Sequence, residues 1–316
     1  LAAGVLLLVA FCVIETRVAD PMFDLSLFRI RAFSAGNLAA LLTAMARGGL
    51  QFMLIIWLQG IWLPLHGYDF ESTPLWAGIF MLPLTAGFLL AGPAAGYLSD
   101  RFGARLLSTG GLLLVAASFL GLLALPVDFS YPAFAGLLVL SGIGQGVFSA
   151  PNTSAIMSSV PEHQRGVASG MRSTFQNSGT ALSIGVFFSL MVAGLARSLP
   201  DTLTAGLQAH GVPAVTADAI ATLPPVSTLF AAFLGSNPVA HLLGPDVLAG
   251  LAPADAAVLT GTEFFPRLIT EPFHHGLVTV FTAAAGMALV AAVASASRGR
   301  RYFHQEPRPT GGAPAA

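Results

Sequence analysis

Charged residues, lysine and cysteine are all scarce in this sequence, and each shortage excludes a class of protein. Only 9% of the 316 residues are charged, whereas a soluble domain carries about 25%, so the composition indicates a membrane protein. Lysine is absent, all 14 basic residues are arginines, and the net charge of −1 leaves no basic field for nucleic acid. The single cysteine, Cys12, excludes an internal disulfide.

Signatures of catalysis and of bound cofactors are missing as well. No cysteine–histidine cluster has the spacing of metal ligands, and no G-x-x-x-x-G-K-[ST] loop is available to hold a nucleotide. No serine, histidine and acid fall on plausible adjoining ends of predicted elements. The sequence therefore indicates neither an enzyme nor an ATP-driven pump, and it implies no metal or cofactor.

Long apolar segments are what the sequence has in abundance. A helix that crosses a bilayer needs about 20 apolar residues, and helices satisfy their own backbone polar groups in lipid. Six segments qualify and predict an all-α integral membrane protein: 34–60, 75–97, 105–125, 131–153, 168–194 and 274–296. Residues 1–14 are apolar but too short, so we expect the end of a truncated transmembrane helix in the C-terminal part of a longer protein.

The remaining segments are predicted to be loops and a tail. Residues 15–33 form a loop, and residues 297–316 form a disordered tail. The stretch 195–272 holds nine prolines, and its apolar part, 226–251, could suggest a seventh span. Because prolines within that part would break a helix, we expect short amphipathic helices on the outer surface instead.

The arginines predict the orientation, because cytoplasmic loops are enriched in basic residues. The loops on one face and the tail carry most of them: Arg17, Arg29, Arg31, Arg101, Arg105, Arg165, Arg172, Arg298, Arg300, Arg301 and Arg308. That face is therefore predicted to be cytoplasmic, and the loop 63–74 external. Three tryptophans flank this external loop and are expected to form an interfacial belt: Trp57, Trp62 and Trp76.

A dense group of charges separates the second and third predicted spans. Residues 96–105 read G-Y-L-S-D-R-F-G-A-R, which resembles the loop signature G-x-L-x-D-R-x-G-x-R of the major facilitator superfamily. We expect the turn to be kept tight by glycine and the acid to lie where the next helix begins. The resemblance implies that this loop is a conformational latch between two bundles; the alternative is a plain cytoplasmic anchor. The residues of the loop concerned are Gly96, Asp100, Arg101, Gly103 and Arg105.

Three further stretches resemble the fourteen-span drug:proton antiporter branch of that superfamily. Residues 161–170 read P-E-H-Q-R-G-V-A-S-G and resemble the loop before the penultimate span. The positions of interest in this second cytoplasmic motif are Arg165, Gly166, Ser169 and Gly170. Residues 27–33 resemble the entry into the C-terminal bundle, and the run 142–146 followed by Pro151 is also similar to this branch.

The resemblance implies an architecture and an activity. The chain would be the six-helix C-terminal bundle, preceded by the end of a linker helix, of an efflux antiporter in the plasma (inner) membrane. Its partners would be protons, a small-molecule substrate held near mid-membrane, and an N-terminal bundle of the same polypeptide. No Asp or Glu lies at the centre of a predicted span, so we expect the proton-coupling carboxylate in that other bundle.

Arg47 lies near the middle of the first predicted span, where an arginine costs about 2.5–3.5 kcal/mol. Helical spacing places it in a stripe of small and polar residues that we expect to face a cavity: Gly36, Asn37, Ala40, Thr43, Ala44, Arg47, Gly48 and Gln51. Arg47 would bind an anionic group of the substrate, tune a carboxylate of the other bundle, or serve as a structural partner for a polar group nearby.

Two later spans carry similar polar stripes. One holds Ser141, Gln145, Ser149 and Asn152, beside the glycine pair Gly142 and Gly146 that would permit close helix approach. The other holds Ser169, Ser173, Gln176 and Thr180, with Asn177 adjacent. These side chains would either line a substrate cavity, for which Gln145 and Gln176 are the better candidates, or form hydrogen bonds between helices.

Three functions are compatible with the sequence. The first is proton-coupled efflux of small, largely apolar compounds or drugs. The second keeps the fold but transports an anionic metabolite selected by Arg47. The third is a membrane interaction protein with no transport activity of its own.

Overall fold

A computed structural model describes residues 2–15, 17–18, 22–69, 71–227, 230, 237–261 and 263–299. Within these ranges the chain is helical and contains no strand. Six helices are long and apolar enough to cross a membrane, which confirms the predicted number of spans: α2 (Arg31–Leu65), α3 (Thr73–Phe102), α4 (Ala104–Leu123), α5 (Tyr131–Ser158), α6 (Arg165–Leu195) and α11 (Phe264–Ala296). They are preceded by α1 (Ala2–Glu15).

A short 3-10 turn, Leu25–Arg29, leads into α2. It begins at Asp24, whose side chain caps it by accepting a hydrogen bond of 2.8 Å from the backbone N–H of Ser26. The first residue of α2 follows at Arg31, and its N-cap residue, Ile30, offers no side-chain cap. Arg29 of this turn and Arg31 of α2 therefore lie together at the N-terminus of the first long helix.

The six long helices pack as one bundle in which α5 lies along both α3 and α4, α2 lies along α6, and α11 contacts α2, α4 and α6. Glycines permit the approach of α5 to α3. A Cβ atom on Gly146 would lie 2.8 Å from the carbonyl oxygen of Phe88, and one on Gly142 would collide with the carbonyl of Leu84. These contacts confirm the close approach predicted for the glycine pair.

Two of the three tryptophans lie inside the bundle rather than in a membrane-interface belt. Trp57 is 1% exposed and Trp62 is 6% exposed. The ring of Trp57 packs edge-on against Phe129 at 4.8 Å between centroids, and Trp62 Nε1 donates to the Phe129 carbonyl oxygen at 3.1 Å. The predicted belt is wrong for these two because α2 continues through a π-helical turn to Leu65, and the loop before α5 folds over them.

Four short helices in the described ranges cover one end of the bundle: α7 (Leu199–Ala209), α8 (Ala214–Ala221), α9 (Val239–Ala249) and α10 (Pro253–Thr260). We call them the cap. One face of α7 buries three leucines four residues apart, and these join the apolar core of the long helices: Leu199, Leu203 and Leu207. Helix α9 is kinked at Gly244, which has a φ of +73° and precedes Pro245, so the described part of residues 226–251 contains no helix of spanning length.

Candidate functional site at the arginine-rich end and on helices α2 and α6

The helix ends opposite the cap carry most of the arginines, and we call this the arginine-rich end. Here one residue, Gly103, separates α3 from α4. Its φ of +89° suits glycine, and its N–H donates to the Ser99 carbonyl oxygen at 2.9 Å. Gly96 instead lies inside α3, and a Cβ atom there would meet nothing within 4 Å. Of the two glycines expected to tighten the turn, only Gly103 forms it.

Asp100 lies in the last turn of α3, not at the start of α4 as expected, because α3 continues two residues beyond it. Its neighbour Arg101 is exposed, as is Arg105 in the first turn of α4. Asp100 and Arg105 both line a cavity of about 670 Å³, to which Ser158 and Arg298 also contribute. Two of the three charged residues of the predicted latch, Asp100 and Arg105, therefore stand beside an open cavity at the arginine-rich end.

The second motif lies where α6 begins. Arg165 Nη1 and Glu162 Oε1 are 3.1 Å apart, and both side chains are largely exposed, so the pair contributes about 0–1 kcal/mol. The three following motif residues are exposed along α6, and Cβ atoms on its two glycines would meet nothing within 4 Å: Gly166, Ser169 and Gly170. This part of α6 is therefore uncovered.

The uncovered surface of α6 continues along the whole helix. Exposed small and polar residues recur every three or four positions, which is the spacing of one helix face: Gly166, Gly170, Thr174, Asn177, Ala181, Gly185 and Ser189. In membranes, small residues in such rows are typical of helix–helix interfaces, since they let two backbones approach. We call this row the open face of α6; its composition suits packing against further helices.

Four of the predicted cavity residues are accessible, on two helices that pack against each other. On α2, Arg47 is half-buried and Gln51, one turn later, is exposed. On α6, Gln176 is half-buried and Asn177 is exposed. Among the described residues, no hydrogen bond or ion pair reaches the Arg47 guanidinium. These four side chains can therefore contact a molecule that enters beside α2 and α6.

The other three predicted cavity residues are buried amides with partners inside the bundle. Asn37 donates at 3.0 Å to a carbonyl of its own helix. Gln145 Nε2 donates at 3.3 Å to Ser141 Oγ, also within one helix. Asn152, which is 0% exposed, donates at 3.3 Å from Nδ2 to the Gly36 carbonyl oxygen and so links α5 to α2. Of these three, only Asn152 forms the hydrogen bond between helices that the sequence left open as an alternative.

The small and polar stripe of α2 is largely a packing surface. Six of its eight members are buried: Gly36, Asn37, Ala40, Thr43, Ala44 and Gly48. A Cβ atom on Gly36 would lie 2.6 Å from Ile156 of α5, and one on Gly48 would collide with Ser183 of α6. The expectation that the whole stripe faces a cavity is therefore wrong, because small residues here let α2 approach its neighbours; only Arg47 and Gln51 remain accessible.

Arg298 is a residue that the sequence placed in a disordered tail and that the structure buries at the arginine-rich end. It follows α11 by two positions, is 6% exposed, and donates from Nη2 to Asn152 Oδ1. Burial lowers its pKa to about 10, so the guanidinium still carries its charge at neutral pH. The position of Arg298 in a basic C-terminal segment gave no signal that this side chain is buried. The predicted tail residues from 300 onward lie outside the described ranges.

Comparison with known proteins agrees with this architecture. Residues 1–184 match the model of the Major Facilitator Superfamily. The chain belongs to this superfamily. The predicted six-helix bundle and the loop 96–105 are thus features of a superfamily member, and the residues considered above are those of a transporter-type helical bundle.

Several curated members are similar to the chain over much of its length. It is 30% identical to the tetracenomycin C resistance and export protein of Streptomyces glaucescens, over 92% of the chain and 48% of that protein. It is 32% identical to the methyl viologen resistance protein SmvA of Salmonella typhimurium, over 67% and 41%. It is 27% identical to the drug efflux pump JefA of Mycobacterium tuberculosis, over 84% and 48%. The chain therefore spans less than half the length of each of these relatives.

Proposed function

We propose that this chain is the C-terminal six-helix bundle of a fourteen-span efflux antiporter, which exchanges small, largely apolar compounds for protons across the plasma membrane. The proposal rests on one observation: the alignment with an export protein of the same superfamily covers 92% of this chain. The accessible polar residues support it: one arginine and three amides form a sparsely charged surface, which suits substrates of low polarity. The arginine-rich end would face the cytoplasm.

The proposal includes an N-terminal bundle that covers the open face of α6. Its row of small residues is suited to a helix–helix contact in the membrane, and substrate would bind between the two bundles. That bundle would also supply the carboxylate for proton coupling. Within the described spans, the acids lie within three turns of a helix end, at Asp100 and Glu271, whereas coupling acids lie deeper in the membrane.

A transport assay with the protein encoded by the complete reading frame tests this proposal. A drug-hypersensitive bacterial strain that expresses it should accumulate less of a fluorescent apolar dye than a strain with an empty vector. A protonophore should abolish the difference. Equal accumulation in both strains would contradict efflux, and a difference that survives the protonophore would contradict proton coupling. An upstream sequence that encodes no further membrane helices would contradict the two-bundle arrangement.

An anionic substrate is the second candidate, favoured by the half-buried Arg47 that lacks a partner among the described residues. A guanidinium recognises carboxylate or phosphate through paired hydrogen bonds. The variant Arg47→Gln should then reduce transport of anionic compounds about tenfold or more while cationic compounds are affected less. Gln51→Ala, one turn away, is the matched control. Uniform loss across all substrates in R47Q would exclude selection by this charge.

A further inference from the structure

A second cavity at the arginine-rich end is enclosed by basic and neutral groups. It has a volume of about 620 Å³ and lies where the turn before α2 meets the ends of α5 and α11. Its polar lining comes from three arginines, two hydroxyls and one amide: Arg29, Arg31, Arg298, Ser26, Ser159 and Gln164. No Asp or Glu is among the described residues that line it. We call it the basic cavity.

Arg298 lines the basic cavity and carries donors that nothing else in the described structure uses. Its Nη2 is bound to Asn152, but Nε and Nη1 are buried and have no hydrogen-bond partner. Buried polar groups are nearly always paired, and a buried charge needs an acceptor in particular. The orphaned donors of a side chain that is 94% buried therefore point to a ligand with oxygen acceptors.

The start of α2 supplies a second source of positive potential. Arg31 and Ala32, its first two residues, line the basic cavity, and no side chain of the N-cap residue caps the helix. The first N–H groups of a helix lack partners within it and carry a partial positive charge. Together with guanidinium groups, such a terminus is suited to a phosphate.

Two carboxylates at this end of the bundle, Asp24 and Asp100, lie outside the lining of the basic cavity. Asp24 accepts from the backbone N–H of Ser26 at 2.8 Å and from Gln164 Nε2 at 3.1 Å. Asp100 lines the neighbouring cavity of about 670 Å³, which shares Arg298 with the basic cavity. Three guanidinium charges thus face a cavity whose described lining contains no counter-charge.

We propose that the basic cavity binds a phosphate group between Arg298 and the N-terminus of α2. A tetrahedral oxyanion offers acceptors in several directions, which matches the forked donors of arginine. The group would be either the phosphodiester of an anionic phospholipid or a free phosphate. In both cases it would link the start of α2 to the end of α11, adjacent to the Asn152 hydrogen bonds.

Thermal unfolding of the purified full-length protein, followed by tryptophan fluorescence, tests this site. One arm compares nanodiscs of phosphatidylcholine with nanodiscs that also contain phosphatidylglycerol. The other titrates inorganic phosphate against the protein in detergent at constant ionic strength. We expect a saturable rise of the midpoint in at least one arm. A response to the lipid alone identifies a headgroup site, and a response in detergent identifies a site for free phosphate.

Variants assign the response to this cavity. Arg298→Gln should abolish the shift or raise the half-maximal ligand concentration roughly tenfold or more. Because R298Q also alters the Asn152 contact, the double variant R29Q/R31Q, which leaves Arg298 in place, should give the same loss. Arg267→Gln is the matched control, since this arginine lies near the other end of α11 in an exposed pair with Glu263. A wild-type protein without a response, or both variants with the wild-type response, would overturn the proposal.

Discussion

The two ends of the bundle are built in opposite ways. The capped end is closed by the short helices of the cap, whose buried apolar residues join the apolar core, and buried tryptophans lie beneath the loop that precedes α5. The arginine-rich end is closed by a one-residue turn at Gly103 and by the turn Leu25–Arg29, and two cavities of about 620 and 670 Å³ open there. One end is packed, whereas the other leaves charged groups beside open space.

This difference indicates where binding and conformational change cost the least free energy. A closely packed apolar region resists displacement, because the dispersion attraction between its side chains is not replaced when they separate. An end held by turns and a few hydrogen bonds can rearrange, or accept a ligand, at lower cost. We therefore expect large stability effects at the capped end and smaller effects at the arginine-rich end.

The largest effect is expected for Leu207→Ala in the cap. Leu207 is fully buried in the apolar core, and a leucine truncated in a core costs about 2–5 kcal/mol. Val215→Ala, at a position that is 83% exposed in α8, is the control and should change the thermal midpoint by little. Equal midpoints for the two variants in detergent would show that the cap is not part of the cooperative core.

The second-largest effect on stability is expected for Asn152→Ala, which removes the hydrogen bonds that link α5 to α2 and to Arg298. The variant removes the one hydrogen-bond partner that the guanidinium has among the described residues, and a hydrogen bond to a charged group contributes about 1.5–3 kcal/mol. Asn177→Ala, at an exposed amide of the open face, should stay within about 0.5 kcal/mol. If N152A unfolds at the wild-type temperature, the arginine-rich end is held together by other contacts.

A smaller effect is expected for Gly103→Ala at the turn between α3 and α4. A side chain at a φ of +89° costs about 1–3 kcal/mol. Gly96→Ala is the control within the same motif, since Gly96 is helical and has open space around it; it should be neutral or slightly stabilising. Should G96A nevertheless lower transport, the glycine would act through contacts outside this bundle, as the latch hypothesis requires.

The fold was predictable from the sequence because long apolar segments have few alternatives in a membrane. The six spans and the close approach at Gly142 and Gly146 follow from length, composition and spacing alone. The burial of Trp57 and Trp62 was not predictable in this way, since it depends on a loop that folds over α2. A local pattern near Trp57 contains no information about Phe129, its partner more than 70 positions later in the chain.

The candidate site was predictable only in part, because burial of its residues also depends on contacts with distant parts of the chain. Arg47 and Gln51 are accessible as expected, but the remaining stripe residues pack against neighbouring helices. In a membrane, small residues favour both cavities and helix contacts, so composition does not separate the two. Arg298 could not be found from the sequence, because its burial depends on Asn152, which lies 146 positions earlier.

The smallest effect on stability is expected at the exposed pair of Arg165 and Glu162, and a variant here tests whether the second motif contributes to transport. Arg165→Gln should lower stability by about 1 kcal/mol or less, and high salt should remove the difference, because exposed charges are screened. The same variant in transport assays gives the second comparison. If R165Q lowers dye efflux severalfold at wild-type stability, Arg165 acts on the movement of the bundles. If efflux and stability both remain at the wild-type level, the second motif is an anchor at the membrane surface, and the open, arginine-rich end contributes to function through other residues.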